Sequence, residues 1–207
     1  MRDVASSGQL VAASAIVLTG GRSRRFGADK MAAEVRGAPL LHHALRSVAE
    51  VCDEIVVVAG RDGPSAKLPD DIQVQPTVVA DVEPYAGPLV ALVLGAGRAR
   101  NDRLLLVAGD MPDLEPALLR RLLEWPADRA GASLELADGP QPFPLGLDRA
   151  AALASGRGLV DSGRRRLQDL LAELDLERIP EVVWRAIDPE ARTLRDIDRP
   201  EDLGTIM

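Results

Sequence analysis

The stretch Leu18-Thr19-Gly20-Gly21-Arg22-Ser23-Arg24-Arg25-Phe26-Gly27-Ala28-Asp29-Lys30 decides how this chain is to be read. It follows an apolar run, Val11 to Leu18, with the composition of a buried strand. Paired glycines directly after a strand let backbone N–H groups approach a ligand closely. Three arginines and a lysine within nine residues concentrate positive charge in a chain whose net charge is −7. That contrast points to a phosphate-bearing ligand. The spacing is not that of a Walker A loop, because Gly27 is followed by Ala-Asp-Lys. Nor is it Gly-x-Gly-x-x-Gly, which argues against a dinucleotide site. The plain alternative is a glycine turn carrying solvated arginines.

Outward from this loop, the composition narrows the classes. The 207 residues suit one α/β domain, with 46% hydrophobic and 28% charged residues. The acidic balance disfavours nucleic acid as a partner. A single cysteine, Cys52, excludes an intramolecular disulfide framework and a cysteine-cluster metal site. The two histidines, His42 and His43, read as packing and solvent-facing helix residues rather than zinc ligands. Val4 to Gly21 is the longest uncharged stretch, but polar residues break it, so no membrane span or export signal is expected. The expectation is a soluble cytoplasmic protein, with residues 1–12 read as a flexible N-terminal extension to one domain spanning 1–207.

Strand and helix patterns alternate along the chain. Strands are expected at Val11 to Leu18, Glu54 to Ala59, Ile72 to Val74, Arg103 to Val107, Ala130 to Leu136, Phe143 to Leu147 and Glu181 to Ile187. Helices are expected at Pro39 to Val51, Gly87 to Arg100, Pro116 to Trp125 and Arg164 to Leu174, with a capping box at Asp198-Arg199-Pro200-Glu201 opening a last short one. The alternation implies a Rossmann-like, mostly parallel sheet with helices on both faces. Ligands of such sheets lie at the carboxyl ends of the strands. The loop after Leu18, the residue Asp110 and the segment Asp196 to Asp198 therefore hold the candidate chemistry.

Gly-Gly-x-Ser-x-Arg-Phe-Gly-x-Asp-Lys after a Leu-Thr strand end closely resembles the signature of the MobA-like nucleotidyltransferases, the molybdenum cofactor guanylyltransferases. Thr19 and Phe26 are its mild departures. Gly37-Ala38-Pro39-Leu40, Tyr85-Ala86-Gly87-Pro88-Leu89 and Leu106-Val107-Ala108-Gly109-Asp110-Met111-Pro112 resemble further family segments. Gln141-Pro142 and Asp196 to Leu203 match more loosely. The resemblance implies a single-domain, nucleotide-diphospho-sugar transferase-like fold. It also implies transfer of GMP from GTP to the terminal phosphate of molybdenum-molybdopterin. Molybdopterin guanine dinucleotide and pyrophosphate would be the products, with Mg²⁺ required. Such chemistry needs charge neutralisation and in-line placement rather than a covalent protein intermediate. No partner beyond GTP and molybdenum-molybdopterin is implied, except transient contact with other cofactor-biosynthesis or molybdoenzyme proteins.

Carried over residue by residue, the resemblance makes Arg25, Lys30 and Asp110 catalytic and gives Asp110 the metal. It assigns nucleotide contacts to Leu18, Thr19, Gly20, Gly21, Lys30, Asp81, Gly87 and Asp110. Arg22 and Arg24 fall at variable positions and read as solvated. A carboxylate at a sheet's carboxyl edge is a hard oxygen ligand suited to Mg²⁺; a helix cap is the other role for Asp110, although Asp113 is the better cap candidate. Asp198 reads first as a helix cap and second, with Asp196, as facing metal or pterin. Arg164, Arg165 and Arg166 read as a solvated face, with an acceptor phosphate as the alternative. Val58 stands where the family often places a nucleotide-contacting Asn. CTP or another phosphate acceptor is therefore the nearest rival to GTP, and a non-catalytic nucleotide-binding relative is the rival from another class.

Overall fold

Three runs of the sequence are apolar on both faces, and they form the parallel centre of the sheet. They are β1 (Val11–Leu18), β4 (Cys52–Ala59) and β6 (Arg103–Ala108), nearly all of whose residues are buried. The computed structural model describes residues 11–19, 30–64, 66–81 and 86–205. Within them, β2 (Glu34–Val35) and β3 (Ala38–Pro39) make a small antiparallel ribbon. The main sheet adds β5 (Thr77–Ala80), β7 (Gly131–Leu136), β8 (Gly139–Asp148) and β9 (Glu177–Ile179) in the order β5-β4-β1-β6-β8-β7-β9. All neighbours pair in parallel except β8, which is antiparallel to both β6 and β7. The expected mostly parallel α/β sheet is present.

Helices cover both faces. On one side α1 (Leu40–Ala49), α3 (Pro116–Leu122) and α6 (Glu181–Trp184) bury Leu41, Leu45, Leu118, Leu122 and Trp184. On the other, α2 (Pro88–Arg98), α4 (Arg149–Asp161) and α5 (Leu167–Glu173) bury Leu89, Leu92, Leu159 and Leu170. Gly95 lets α2 lie close to the sheet, since a Cβ there would stand 2.7 Å from Ile16 Cγ2. Among the described residues no helix is long and apolar enough to cross a membrane.

Five points depart from what the sequence predicts. Ile72 to Val74 is not a strand. Both apolar residues lean on the core, and the edge strand is the β-branched run Thr77–Ala80 just after Pro76. Glu181 to Ile187 is not a strand either. β9 ends at Ile179, and after Pro180 the chain turns into α6, which leaves Val182 and Val183 exposed while Trp184 is buried. The Trp184 indole N–H donates to the Glu135 carbonyl at 3.1 Å. Finally, α4 was not expected at all. Asp148 caps it, accepting from the Ala151 N–H at 2.8 Å, and Gly156 is tolerated because Val93 of α2 fills the space beside it. Pro39 lies just before α1 rather than within it, and Arg164–Arg166 precede α5 rather than open it.

Candidate active site

The register sets the three central strands level: Leu18 of β1 lies opposite both Val58 of β4 and Ala108 of β6. The residues that follow therefore emerge along one line. Thr19 is pinned there, its N–H and hydroxyl both donating to the Val58 carbonyl at 3.0 and 3.1 Å. The Gly109 N–H donates to the Leu18 carbonyl at 2.8 Å. Gly109 is closely framed: a Cβ would sit 3.0–3.2 Å from the side chains of Leu41, Met31 and Thr19, which would have to give way. Chain order reverses between β1 and β6, which is where open α/β sheets hold their ligands.

At that crevice Lys30 begins a one-turn 3₁₀ helix, Lys30–Ala32, with its side chain only 9% exposed. Its Nζ donates to Asp110 Oδ2 at 2.7 Å and to Asp198 Oδ1 at 3.1 Å. The Asp110 side chain is 20% exposed and that of Asp198 57%. A backbone bond brings the late segment in: the Ile197 N–H donates to the Asp110 carbonyl at 3.1 Å. The other Asp110 oxygen, Oδ1, is buried and has no hydrogen-bond partner among the described residues.

The electrostatics follow from this crowding. Burial alone would lower the Lys30 pKa, but the charges of Asp110 and Asp198 and their hydrogen bonds outweigh it and hold it above the ordinary value. Asp196 is shifted upward, first by partial burial of its carboxyl and then by the negative charges of Asp198 and Asp110. Asp110 and Asp198 thus share one ammonium, and Asp196 stands close enough to feel all three charges. No group of three or more His, Cys, Asp or Glu side chains there is arranged to hold a metal alone. One or two carboxylates with an orphan oxygen instead suit Mg²⁺, which completes its shell with water and substrate phosphates.

Asp198 is not the cap that its local sequence suggests. Its own N–H and that of Arg199 donate to Asp202 Oδ2 at 2.9 and 2.7 Å, so Asp202 caps the last turn and the Asp198 carboxylate is left for Lys30. Nor does Asp113 cap α3. It pairs with Arg36 at 2.6 Å, and Glu115 takes the cap by accepting from the Ala117 N–H at 3.2 Å. The part played by Asp202 was missed, though a carboxylate two residues after Pro200 is the signal for it.

The remaining candidates scatter. Gly20, Gly21, Arg22, Arg24 and Arg25 lie outside the described residues. Asp81 follows β5, its N–H donating to the Ala59 carbonyl at 2.7 Å. It stands three strands from β6, about 14 Å across the sheet. Gly87 caps α2 with φ +101°, and a Cβ there would meet the Arg165 carbonyl oxygen at 2.9 Å. The Leu89 N–H donates to that same carbonyl at 3.3 Å, so the arginine segment is seated against the start of α2. Arg165 turns back to the carbonyls of Val160 and Arg164, and Arg164 reaches Glu173 at 3.9 Å. Val58 is buried in the core near Gly95, so its side chain is not a base-contacting position.

His42 and His43 hold loops to α1, reaching the carbonyls of Lys67 and Val35 at 2.6 and 2.8 Å. Cys52 is buried, and burial pushes its thiol up to about 12. A cavity of about 540 Å³ lies at the opposite, amino end of the sheet, between the start of β6 and the end of α3. Its arginines are occupied structurally: Arg103 stacks on Trp125 at 4.3 Å and Arg121 pairs with Glu177.

Residues 15–179 match the family described as the MobA-like NTP transferase domain. The chain belongs to that family. Among MobA-like relatives, a probable molybdenum cofactor guanylyltransferase of Chloroflexus aggregans is 34% identical over 93% of this chain and 92% of its own length. The molybdenum cofactor guanylyltransferase of Burkholderia vietnamiensis is 34% identical over 79% of this chain and 86% of its own. Among solved structures, molybdopterin-guanine dinucleotide biosynthesis protein A of Archaeoglobus fulgidus superposes with a TM-score of 0.75 at 21% identity, covering 93% of this chain and 96% of that one. A 4-diphosphocytidyl-2C-methyl-D-erythritol synthase of Anaerococcus prevotii shares the fold at a TM-score of 0.65 and 14% identity, over 94% and 96% of the two chains. This MobA-like protein is a nucleotidyltransferase. Lys30 and Asp110 lie inside the matched span, and Asp198 lies beyond it.

Proposed function

We propose that the protein transfers GMP from GTP to the terminal phosphate of molybdenum-molybdopterin, forming the guanine dinucleotide cofactor and pyrophosphate with Mg²⁺. The observation that carries this is Lys30 held between Asp110 and Asp198 at the reversal point of a MobA-like sheet. A phosphate oxygen of the acceptor attacks the α-phosphorus of GTP, and the α–β bridging oxygen leaves with pyrophosphate. No proton has to be taken by a covalent nucleophile, so the protein's work is placement and charge neutralisation.

Lys30 contacts the phosphates as a point charge on a flexible stem. Arg25 and the backbone of Gly20 and Gly21 share that task by resemblance to the family loop. Asp110, whose orphan Oδ1 fits a hard cation, would hold the metal, with Asp198 beside it. Mg²⁺, when bound, neutralises phosphate charge and orients the reacting oxygens. Asp81 and Gly87 border the nucleoside end, and the span of about 14 Å from β5 to β6 is one that a mononucleotide bridges. The relatives named as guanylyltransferases support GTP. The cytidylyl enzyme on the same fold makes CTP the competitor to test.

The test supplies molybdenum-molybdopterin, Mg²⁺ and either GTP or CTP, and separates the products chromatographically while pyrophosphate is measured. Guanine dinucleotide with equal pyrophosphate supports the reading. Product with CTP alone replaces it with cytidylyl transfer. No product with either nucleotide in well-folded protein refutes it.

A further inference from the structure

We propose that Arg36 is a positioning residue. Through Asp113 it ties the β2–β3 ribbon to the loop after β6, and so sets where Lys30 stands relative to Asp110. The inference rests on the transfer roles of Lys30 and Asp110 proposed above and adds what holds their two segments in place.

The ribbon touches all three segments that meet in the crevice. At its start the Ala33 N–H donates to the Lys30 carbonyl at 3.2 Å; at its end the Leu40 N–H donates to the Ala33 carbonyl at 2.8 Å. Val35 and Leu40 pack in one buried cluster with Ile197, the residue before Asp198. The third tie is Arg36. Its Nη2 donates to Asp113 Oδ1 at 2.6 Å and reaches the Pro112 carbonyl at 3.4 Å, just beyond Asp110 in the chain. The Asp113 side chain is only 9% exposed, and a carboxylate so covered is costly to leave without its cation. Lys30 and Asp110 join the same two segments directly. The Arg36 pair joins them without using either group.

The backbone of Arg36 points the same way. Val35 pairs with Ala38, so Arg36 and Gly37 are the two turn residues, with φ +47° and +77°. Positive φ at both positions is the type I′ pattern, which Asn-Gly fits at least cost. The turn gains nothing from an arginine there. The gain lies at the far end of the side chain, on the Asp113 carboxylate.

Arg36→Asn, Arg36→Lys and Asp113→Asn test this in the GTP assay given above. Arg36→Asn suits the turn and loses the tie. It should melt within a few degrees of wild type, while kcat falls about tenfold and GTP affinity by calorimetry changes less than about twofold. Arg36→Lys keeps a cation within reach of Asp113 and should recover most of the rate. Arg36→Asn/Asp113→Asn should be no slower than the slower single variant, because both remove one contact. A kcat within about twofold of wild type in folded Arg36→Asn overturns the proposal. So does a fully additive double variant, which would mean that Arg36 meets the ligand itself. If wild type fails to turn over, the transfer reading falls, and hydrogen exchange decides the tie alone. Amides of residues 30–40 and 108–114 should exchange faster in Arg36→Asn, while those of α4 should not change. Unchanged exchange in both stretches overturns the tie.

Discussion

Gly87→Ala separates packing from ligand contact at the start of α2. The native backbone there has φ +101° and ψ 161°, a region open essentially to glycine alone. Forcing an L side chain into it costs about 1–3 kcal/mol. The added Cβ would also stand 2.9 Å from the Arg165 carbonyl oxygen and 3.0 Å from Arg165 Cβ. The obstacle is largely backbone, so it does not swing aside, and such overpacking costs a further ~1–3 kcal/mol. The total is about 2–6 kcal/mol, a large share of the ~5–15 kcal/mol that holds a domain together. Gly37→Ala is the control. Its φ of +77° is positive too, but nothing lies within 4 Å, so it carries only the left-handed term of ~1–2 kcal/mol. Urea unfolding read by the fluorescence of Trp125 and Trp184 compares them. If Gly87→Ala costs the same as Gly37→Ala to within about 0.5 kcal/mol, the seating of the arginine segment does not explain the glycine. If Gly87→Ala instead keeps its stability and loses only GTP affinity, the residue acts through the ligand and the packing account is wrong.

Other outcomes follow from the same geometry. Asp110→Asn should reduce turnover by a factor of ~100 or more, since it removes the charge proposed to meet phosphates and metal; a loss below tenfold in initial rate would remove Asp110 from the mechanism. The Lys30 interaction has a defined pH window. The folded pKa lies above the unfolded value of about 10.4, so the stabilisation is complete below that value and fades as pH rises through the folded one. Melting temperatures of wild type and Lys30→Met should therefore keep a constant gap from pH 7 to 9 and converge only in stronger alkali; convergence near neutrality would contradict this. Cys52 should resist a thiol reagent in native protein at pH 8 and react once urea exposes it, because burial holds it as the inert thiol. Rapid native labelling would show that the strand it begins is open.

The centre of the fold was legible because β1, β4 and β6 are covered on both faces and so read as unbroken apolar runs. The periphery was not. Val182 and Val183 have strand composition, yet they face outward on α6, and only Trp184 reveals the inward side. α4 escaped notice because Gly156 and Gly158 weaken its helical pattern; the reason one of them is tolerated lies in Val93, more than sixty residues earlier. In the site, Lys30 and Asp110 were legible from motif and strand-end position. The allegiance of Asp198 was not. Its local sequence spells a cap, and what overrules that is the bond from the Ile197 N–H to the Asp110 carbonyl. Long-range contacts of this kind leave no mark on neighbouring residues.

The bond between Lys30 and Asp198 sets a timetable for biosynthesis. Lys30 and Asp198 are separated by 168 positions in the chain. At ribosomal speeds of about 5–20 residues per second, some 8–34 s pass between their appearances. During that interval the nascent protein can stack its first strands and still lack half of the clasp around its lysine. The contact between Lys30 and Asp198 can therefore close only after most of the sheet can already have formed, as the last tie across the crevice.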